Sequence, residues 1–212
     1  TANAKADDRK MELDFVFAEL GLLPGTRVLD AGCGTGHFSI AFAERGCVVD
    51  AIDISPEMIA HARANARDAG VELRLTVGNV QPLSAPDRAY DVIVSRMALQ
   101  FVPQLSTVLD EFQRTLASGG KLWLAVPGSL SPVYRHSWKR FLSEMPATVN
   151  YVTPWELIQL LEEKGWTINA QWGSFDQVGS DAGNTAASLA TDALPIPLQQ
   201  AAATVWNVIA ER

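Results

Sequence analysis

Val28-Leu-Asp-Ala-Gly-Cys-Gly-Thr-Gly-His-Phe-Ser39 is the stretch whose reading decides the fold. An apolar strand, Arg27–Asp30, runs into glycines at alternate positions, Gly32, Gly34 and Gly36, and a helix opens directly afterwards. Glycine is needed where the chain turns with positive φ or where a ligand lies against bare backbone. A helix start adds unpaired N–H groups and a partial positive charge. The next apolar strand, Val48–Ile52, closes on Asp53. Together these features predict a nucleotide-type pocket.

Upstream of this stretch, Leu13, Val16, Phe17 and Leu20 give residues 9–20 one apolar helical face. Downstream, Thr35–Arg45 makes a crossover helix. Ser55 reads as an N-cap with Pro56 at the first helical position. Met58, Ala62, Ala66 and Ala69 are expected to face the sheet. Strands are predicted at Leu73–Val77, Tyr90–Ser95 and Lys121–Val126. A helix opened by Pro103 carries Leu105, Val108, Leu109, Phe112 and Leu116 along one stripe and ends at Ser118-Gly119-Gly120. Helices at 131–145 and 154–164 follow, then strands at Trp166–Phe175 and Thr204–Ala210. Strands alternating with helices predict an α/β, doubly wound, largely parallel sheet.

The 212 residues suit one domain, with 1–8 as a polar tail and 128–165 as helices on the acceptor side of the site. No run of about 18 uncharged apolar residues appears, and no charged-then-apolar leader precedes the first helix. Two cysteines, Cys33 and Cys47, are too few for a disulfide framework and suit a reducing cytoplasm. A net charge of −7 argues against a nucleic-acid partner, which calls for a basic face. No metal-ligand cluster is visible.

The third glycine comes one residue earlier than in the dinucleotide fingerprint, and His37 stands where that pattern wants glycine. This counts against a nicotinamide dehydrogenase. The stretch instead resembles the first motif of class I S-adenosylmethionine-dependent methyltransferases, strand-(D/E)-x-G-x-G-x-G, with Asp30 in the acidic place. That resemblance implies a Rossmann-like sheet of order 3-2-1-4-5-7-6, strand 7 antiparallel. It also implies S-adenosylmethionine as cofactor, leaving S-adenosylhomocysteine as product. In the family the acidic residue at Asp53 takes both ribose hydroxyls, which a carboxylate has the lone pairs to do. Asp30, Gly32, Cys33, Gly34, Gly36, Ile54 and Met58 would complete that side of the pocket. Gly78-Asn79-Val80 stands where the family carries Gly-Asp-Ala. Asn79 would then accept from the adenine amino group without charge, or serve as an ordinary turn residue, and Val80 would offer its N–H and side chain to the ring. Ligands of open α/β sheets sit beyond the carboxyl ends of the strands, so Ser95 and Arg96 are expected beside the methionine half.

A sulfonium methyl is already activated, so transfer needs mainly alignment, and a base only if the acceptor arrives protonated. His37, His61 and His136 form no convincing dyad, and no general base is assigned. Tyr134, Trp138, Phe141 and Met145 make one stripe of the helix at 131–145, with Arg135, Lys139 and Arg140 clustered beside them. Such cations suit an anionic substrate or an acidic carrier protein, or else a solvated helix face. Gln100, Arg135, His136 and Arg140 are the candidate acceptor contacts. Ala98-Leu-Gln-Phe101 followed by Leu105, Gly128-Ser-Leu130 leading to Trp138, Thr148-Val-Asn-Tyr-Val152 and Pro154-Trp-Glu-Leu157 resemble the malonyl-acyl-carrier-protein O-methyltransferases of biotin synthesis. This resemblance implies a small or carrier-bound acceptor such as a malonyl-thioester carboxylate, while charge and hydropathy predict neither nucleic acid nor membrane as partner. Methylation of another small metabolite, and cofactor binding without transfer, stay open.

Overall fold

Residues 13–131, 134, 150–174 and 195–212 are described by a computed structural model. One seven-stranded sheet organises them: β1 (Arg27–Ala31), β2 (Val48–Asp53), β3 (Arg74–Val77), β4 (Tyr90–Arg96), β5 (Leu116–Pro127), β6 (Thr167–Ser174) and β7 (Val205–Glu211). The order is β3-β2-β1-β4-β5-β7-β6. The first five strands are mutually parallel, and β7 lies antiparallel between β5 and β6. The helices are α1 (residues 13–20), α2 (His37–Glu44), α3 (Pro56–Ala69), α4 (Leu105–Thr115), α5 (Pro154–Glu163) and α6 (Ile196–Ala202).

Alternation along the strands sends side chains into two cores. On one face Leu29, Ile93, Leu122, Leu124, Trp206 and Val208 pack against Leu109 and Phe112 of α4 and Leu157 and Leu161 of α5. On the other, Val28, Val92, Val94, Trp123 and Ile209 pack against Val16, Phe17 and Leu20 of α1 and Phe42 of α2. The expected strands and their order are therefore present.

Several details differ from expectation. The buried face of α3 is Ile59, Ala62 and Ala66; Met58 is half-buried and Ala69 exposed, a rotation of the helix that brings the small residues under Gly36. Helix α4 starts at Leu105 with Gln104 as its cap, two residues after Pro103. Leu116 leaves that helix to pair with Tyr90, and Lys121 pairs with Val92, so Ala117–Gly120 is an excursion inside β5 rather than a turn before it. Helix α6 was not anticipated. Of the helix expected at 131–145, Ser131 and Tyr134 are described; Arg135, His136, Trp138, Lys139, Arg140, Phe141 and Met145 lie outside the described residues, as does Phe175. No helix among the described residues is long and apolar enough to cross a membrane.

Past the end of β5, the chain passes beneath the residues joining α6 to β7. Gly128 N–H reaches the Thr204 carbonyl at 3.3 Å, and a Cβ at Gly128 would stand 1.9 Å from the carbonyl oxygen of Ala203. Gly128→Ala must therefore push backbone from backbone. It is expected to lower unfolding free energy by about 1–3 kcal/mol, the scale of an overpacked core site, in urea denaturation.

Candidate functional site

At the carboxyl edge of the parallel strands the chain from Gly32 to Gly36 forms a tight loop. Gly32, Gly34 and Gly36 have φ of +85°, +53° and +81°. At Gly32 space forbids a side chain as firmly as conformation does, because an added Cβ would lie 2.3 Å from the Ala98 Cβ. The N–H groups of Gly32 and Cys33 both donate to the Ile52 carbonyl, at 2.8 and 3.0 Å. Gly36 then caps α2 without a side-chain acceptor, and the first turn of that helix carries no acidic residue. Cys33 is half-buried, its Sγ 3.7 Å from the Gly34 carbonyl. Burial pushes its thiol pKa far up, so it acts as a small neutral filler.

Asp53, the last residue of β2, ties this loop to α3. Its Oδ2 accepts from Gly34 N–H at 2.8 Å and its Oδ1 from Ser55 N–H at 2.9 Å. Ser55 caps α3 through Met58 N–H at 3.3 Å, with Pro56 following as the spacing predicts. Ile54, between these two, is 73% exposed, an apolar side chain standing free beside the carboxylate. After β3, Asn79 uses its carbonyl oxygen in a local turn with Gln81 N–H at 3.1 Å, and half-buried Val80 packs on the sheet core.

Beneath the loop, Asp30 is 3% exposed and accepts the Ser39 hydroxyl at 2.5 Å. It also takes a backbone hydrogen bond from Ser39, an internal cap for α2 that sequence reasoning missed. Burial, aided by the nearby Asp53 charge, outweighs those bonds and raises its pKa to about 6.

Beyond β4 the chain turns back on itself. Ser95 is 1% exposed and its hydroxyl donates to the Ala31 carbonyl at 2.8 Å, stitching β4 to β1. Arg96 lays its guanidinium 4.8 Å from the centre of the Phe38 ring, in the first turn of α2. Met97 has φ +55°. Ala98 packs on Gly32, and Leu99–Phe101 forms one 3-10 turn. Gln100 is buried, its Nε2 donating to the Met97 carbonyl at 2.7 Å; its Oε1 finds no donor. Asn150, not singled out from sequence, docks here: its N–H donates to the Gln100 carbonyl at 2.7 Å and its Nδ2 to the carbonyls of Leu99 and Val102 at 2.7 and 2.8 Å. The spacing of 50 residues left no local signal for it.

The structure thus gathers Asp30, Gly32, Cys33, Gly34, Gly36, Asp53, Ile54 and Met58 around one loop. Ser95 and Arg96 close β4 beside it and Gln100 lies just past that strand, while Asn79 and Val80 follow β3. Arg135, His136 and Arg140 lie outside the described residues. His37 stacks edge-on to Phe38 with ring centres 5.2 Å apart, and His61 sits on the exposed side of α3, 3.8 Å from Glu57. No metal-ligating cluster occurs among the described residues. A second concavity, lined by Arg88, Asp110, Arg114 and Arg212, lies at the opposite, amino-terminal edge of the strands, away from where ligands of such sheets bind.

Asp30 has a testable acid–base consequence. A carboxyl whose folded pKa lies above its unfolded value holds its proton better in the native state, so its contribution is favourable at low pH and lost as pH rises from about 4 through about 6. Asp30→Asn keeps an acceptor for Ser39 and removes the titration. The unfolding free energy of the variant minus that of the native protein should grow across this window by up to about 3 kcal/mol, measured by urea denaturation at a series of pH values.

Comparisons with known proteins agree with this geometry. The profile of a methyltransferase domain family matches residues 28–120. A malonyl-[acyl-carrier protein] O-methyltransferase from Pectobacterium atrosepticum is 38% identical over 141 residues, covering 63% of this chain and 53% of that protein. A trans-aconitate 2-methyltransferase from a Mycobacterium species is 33% identical over 178 residues, covering 78% and 67%. The chain spans about half the length of the first of these. Among solved structures, a putative sarcosine dimethylglycine methyltransferase from Galdieria sulphuraria superposes with a TM-score of 0.72 at 17% identity, over 98% of this chain and 86% of that one. Sheet order, glycine loop and relatives converge, and the chain belongs to the class I S-adenosylmethionine-dependent methyltransferases.

Proposed function

We propose that the loop after β1 and the Asp53 carboxylate form the S-adenosylmethionine pocket of a single methyltransferase domain, which transfers methyl to a carboxylate of a small or carrier-borne acid. The observation that carries the pocket is the state of Asp53. Each of its oxygens takes one backbone N–H, which fixes the carboxylate and leaves a lone pair on each oxygen for two vicinal hydroxyls. The residues fit the cofactor in other respects. Gly34 has open space where a side chain would stand, Ile54 offers an apolar surface to a flat ring, and Asn79 has a second lone pair beyond its turn bond.

S-adenosylmethionine would supply an activated methyl group on a cationic sulfur. The chain's task is then to orient both partners and exclude water, an effect worth several kcal/mol of barrier. A carboxylate acceptor needs no general base. The two relatives described above are named for acceptors that are carboxylic acids, and Arg96 places a cation at the end of β4 where such an acceptor would lie. A malonyl thioester, with a place in biotin synthesis, and a free polycarboxylate are the leading acceptors. The free thiols Cys33 and Cys47 fit a cytoplasmic setting.

Asp53→Ala is expected to weaken S-adenosylmethionine binding by about 1.5–3 kcal/mol in calorimetry, the scale of hydrogen bonds to a charged group. Unchanged affinity rejects the ribose assignment. For the acceptor, the native protein incubated with methyl-labelled cofactor should label malonyl thioesters or di- and tricarboxylates and leave phenols and amines unlabelled. Label confined to phenols or amines overturns the carboxylate reading, and cofactor binding with no label on the panel favours a non-transferring role.

A further inference from the structure

Segment 150–152, within the region expected on the acceptor side, is fastened by one residue to the turn that packs on the cofactor loop. Asn150 is exposed, yet it donates three hydrogen bonds to the turn after β4: its backbone N–H holds the Gln100 carbonyl, and its Nδ2 holds those of Leu99 and Val102. Its Oδ1 accepts from Val152 N–H at 2.9 Å, which settles which end of the amide carries the nitrogen. Tyr134 holds the same segment from the other side, its hydroxyl donating to the Val152 carbonyl at 2.5 Å. On each side of this clamp stands a non-glycine residue in the left-handed region, Met97 at φ +55° and Tyr151 at +57°. Such conformations persist only where the surroundings over-determine them, and they concentrate at sites that position ligands. The turn itself bears directly on the glycine loop, since Ala98 fills the space a side chain at Gly32 would occupy.

We infer that Asn150 is a positioning residue: by gripping the carbonyls of Leu99 and Val102 it makes segment 150–152 move with the turn that packs on Gly32, so that filling the cofactor pocket sets the acceptor side of the site. This rests on the cofactor reading above and extends it, because it makes alignment of the two reacting partners depend on a residue that touches neither. An in-line displacement is sensitive to such placement, where a shift of about 1 Å costs on the order of 100-fold in rate.

The test uses S-adenosylhomocysteine, with binding read by calorimetry and coupling read by amide hydrogen exchange. In the native protein the ligand should slow exchange at Asn150 and Val152 by about tenfold or more. Asn150→Asp keeps an acceptor for Val152 N–H and the backbone bond to Gln100 but loses both side-chain hydrogen bonds to the turn. It should bind the ligand within about threefold of the native protein but lose the ligand-dependent protection of 150–152, and its kcat on the acceptor found by the labelling panel should drop about tenfold or more. Asn150→Ala should behave in the same way. Tyr134→Phe, which releases the segment without freeing the turn, should keep the protection at Asn150. Absence of heat with S-adenosylhomocysteine would remove the cofactor reading. Normal heat with no protection of 150–152 in the native protein, or native behaviour of Asn150→Asp, would overturn the clamp alone.

Discussion

A carboxylate at the end of the second strand holds two pieces of backbone together. Asp53 receives Gly34 N–H on one oxygen and Ser55 N–H on the other, so the glycine loop and the start of α3 share one anchor. The loop is further fixed from within, its N–H groups held by backbone and carboxylate: Gly32 and Cys33 on the Ile52 carbonyl, Gly34 on Asp53 and Gly36 on the Cys33 carbonyl. Everything else at the edge is arranged around this arrest. Asp30 caps α2 from below, Ala62 comes close under Gly36, and Ala98 closes the flank of Gly32.

The polar side chains near the pocket divide into those already committed and those with capacity left. Ser95 spends its hydroxyl on Ala31, joining neighbouring strands, and Gln100 spends its Nε2 on the Met97 carbonyl. Asp53 and Asn79 each keep lone pairs beyond their local bonds, and Ile54 keeps its exposed surface. Rigid backbone framed by committed side chains is what an alignment-driven reaction needs, since it lets orientation be built in before either partner arrives.

What could be read from sequence was what is local. Gly32, Gly34, Gly36 and Asp53 announce the pocket because tight turns, bare backbone and a charged strand end are short-range demands. Ser55-Pro56 announces α3 for the same reason. The strand order came by resemblance, since periodicity carries no information about which strands are neighbours. Leu116 looked helical because it continues the apolar stripe of α4, yet pairing with Tyr90 claims it for β5. Met58 and Ala69 were misassigned because a helix of small residues has no strong stripe to fix its rotation. Asn150 was illegible because its partners lie 50 residues away, and its role exists only once the turn after β4 has been built. Helix α6 spans seven residues with prolines at its start, too short for periodicity to register.

The position of β7 bears on how the chain acquires its shape during synthesis. Strands β1 to β5 can pair in the order they emerge, but β5 waits for residues 205–211 before its second edge is covered, and β6 has no neighbour at all until the same moment. In that interval an apolar edge from Leu122 to Val126 stands open, a surface prone to pairing with another chain. The last strand therefore acts as a closing staple for the whole sheet, and shielding of the nascent edge becomes a requirement placed on the cell rather than on the finished fold.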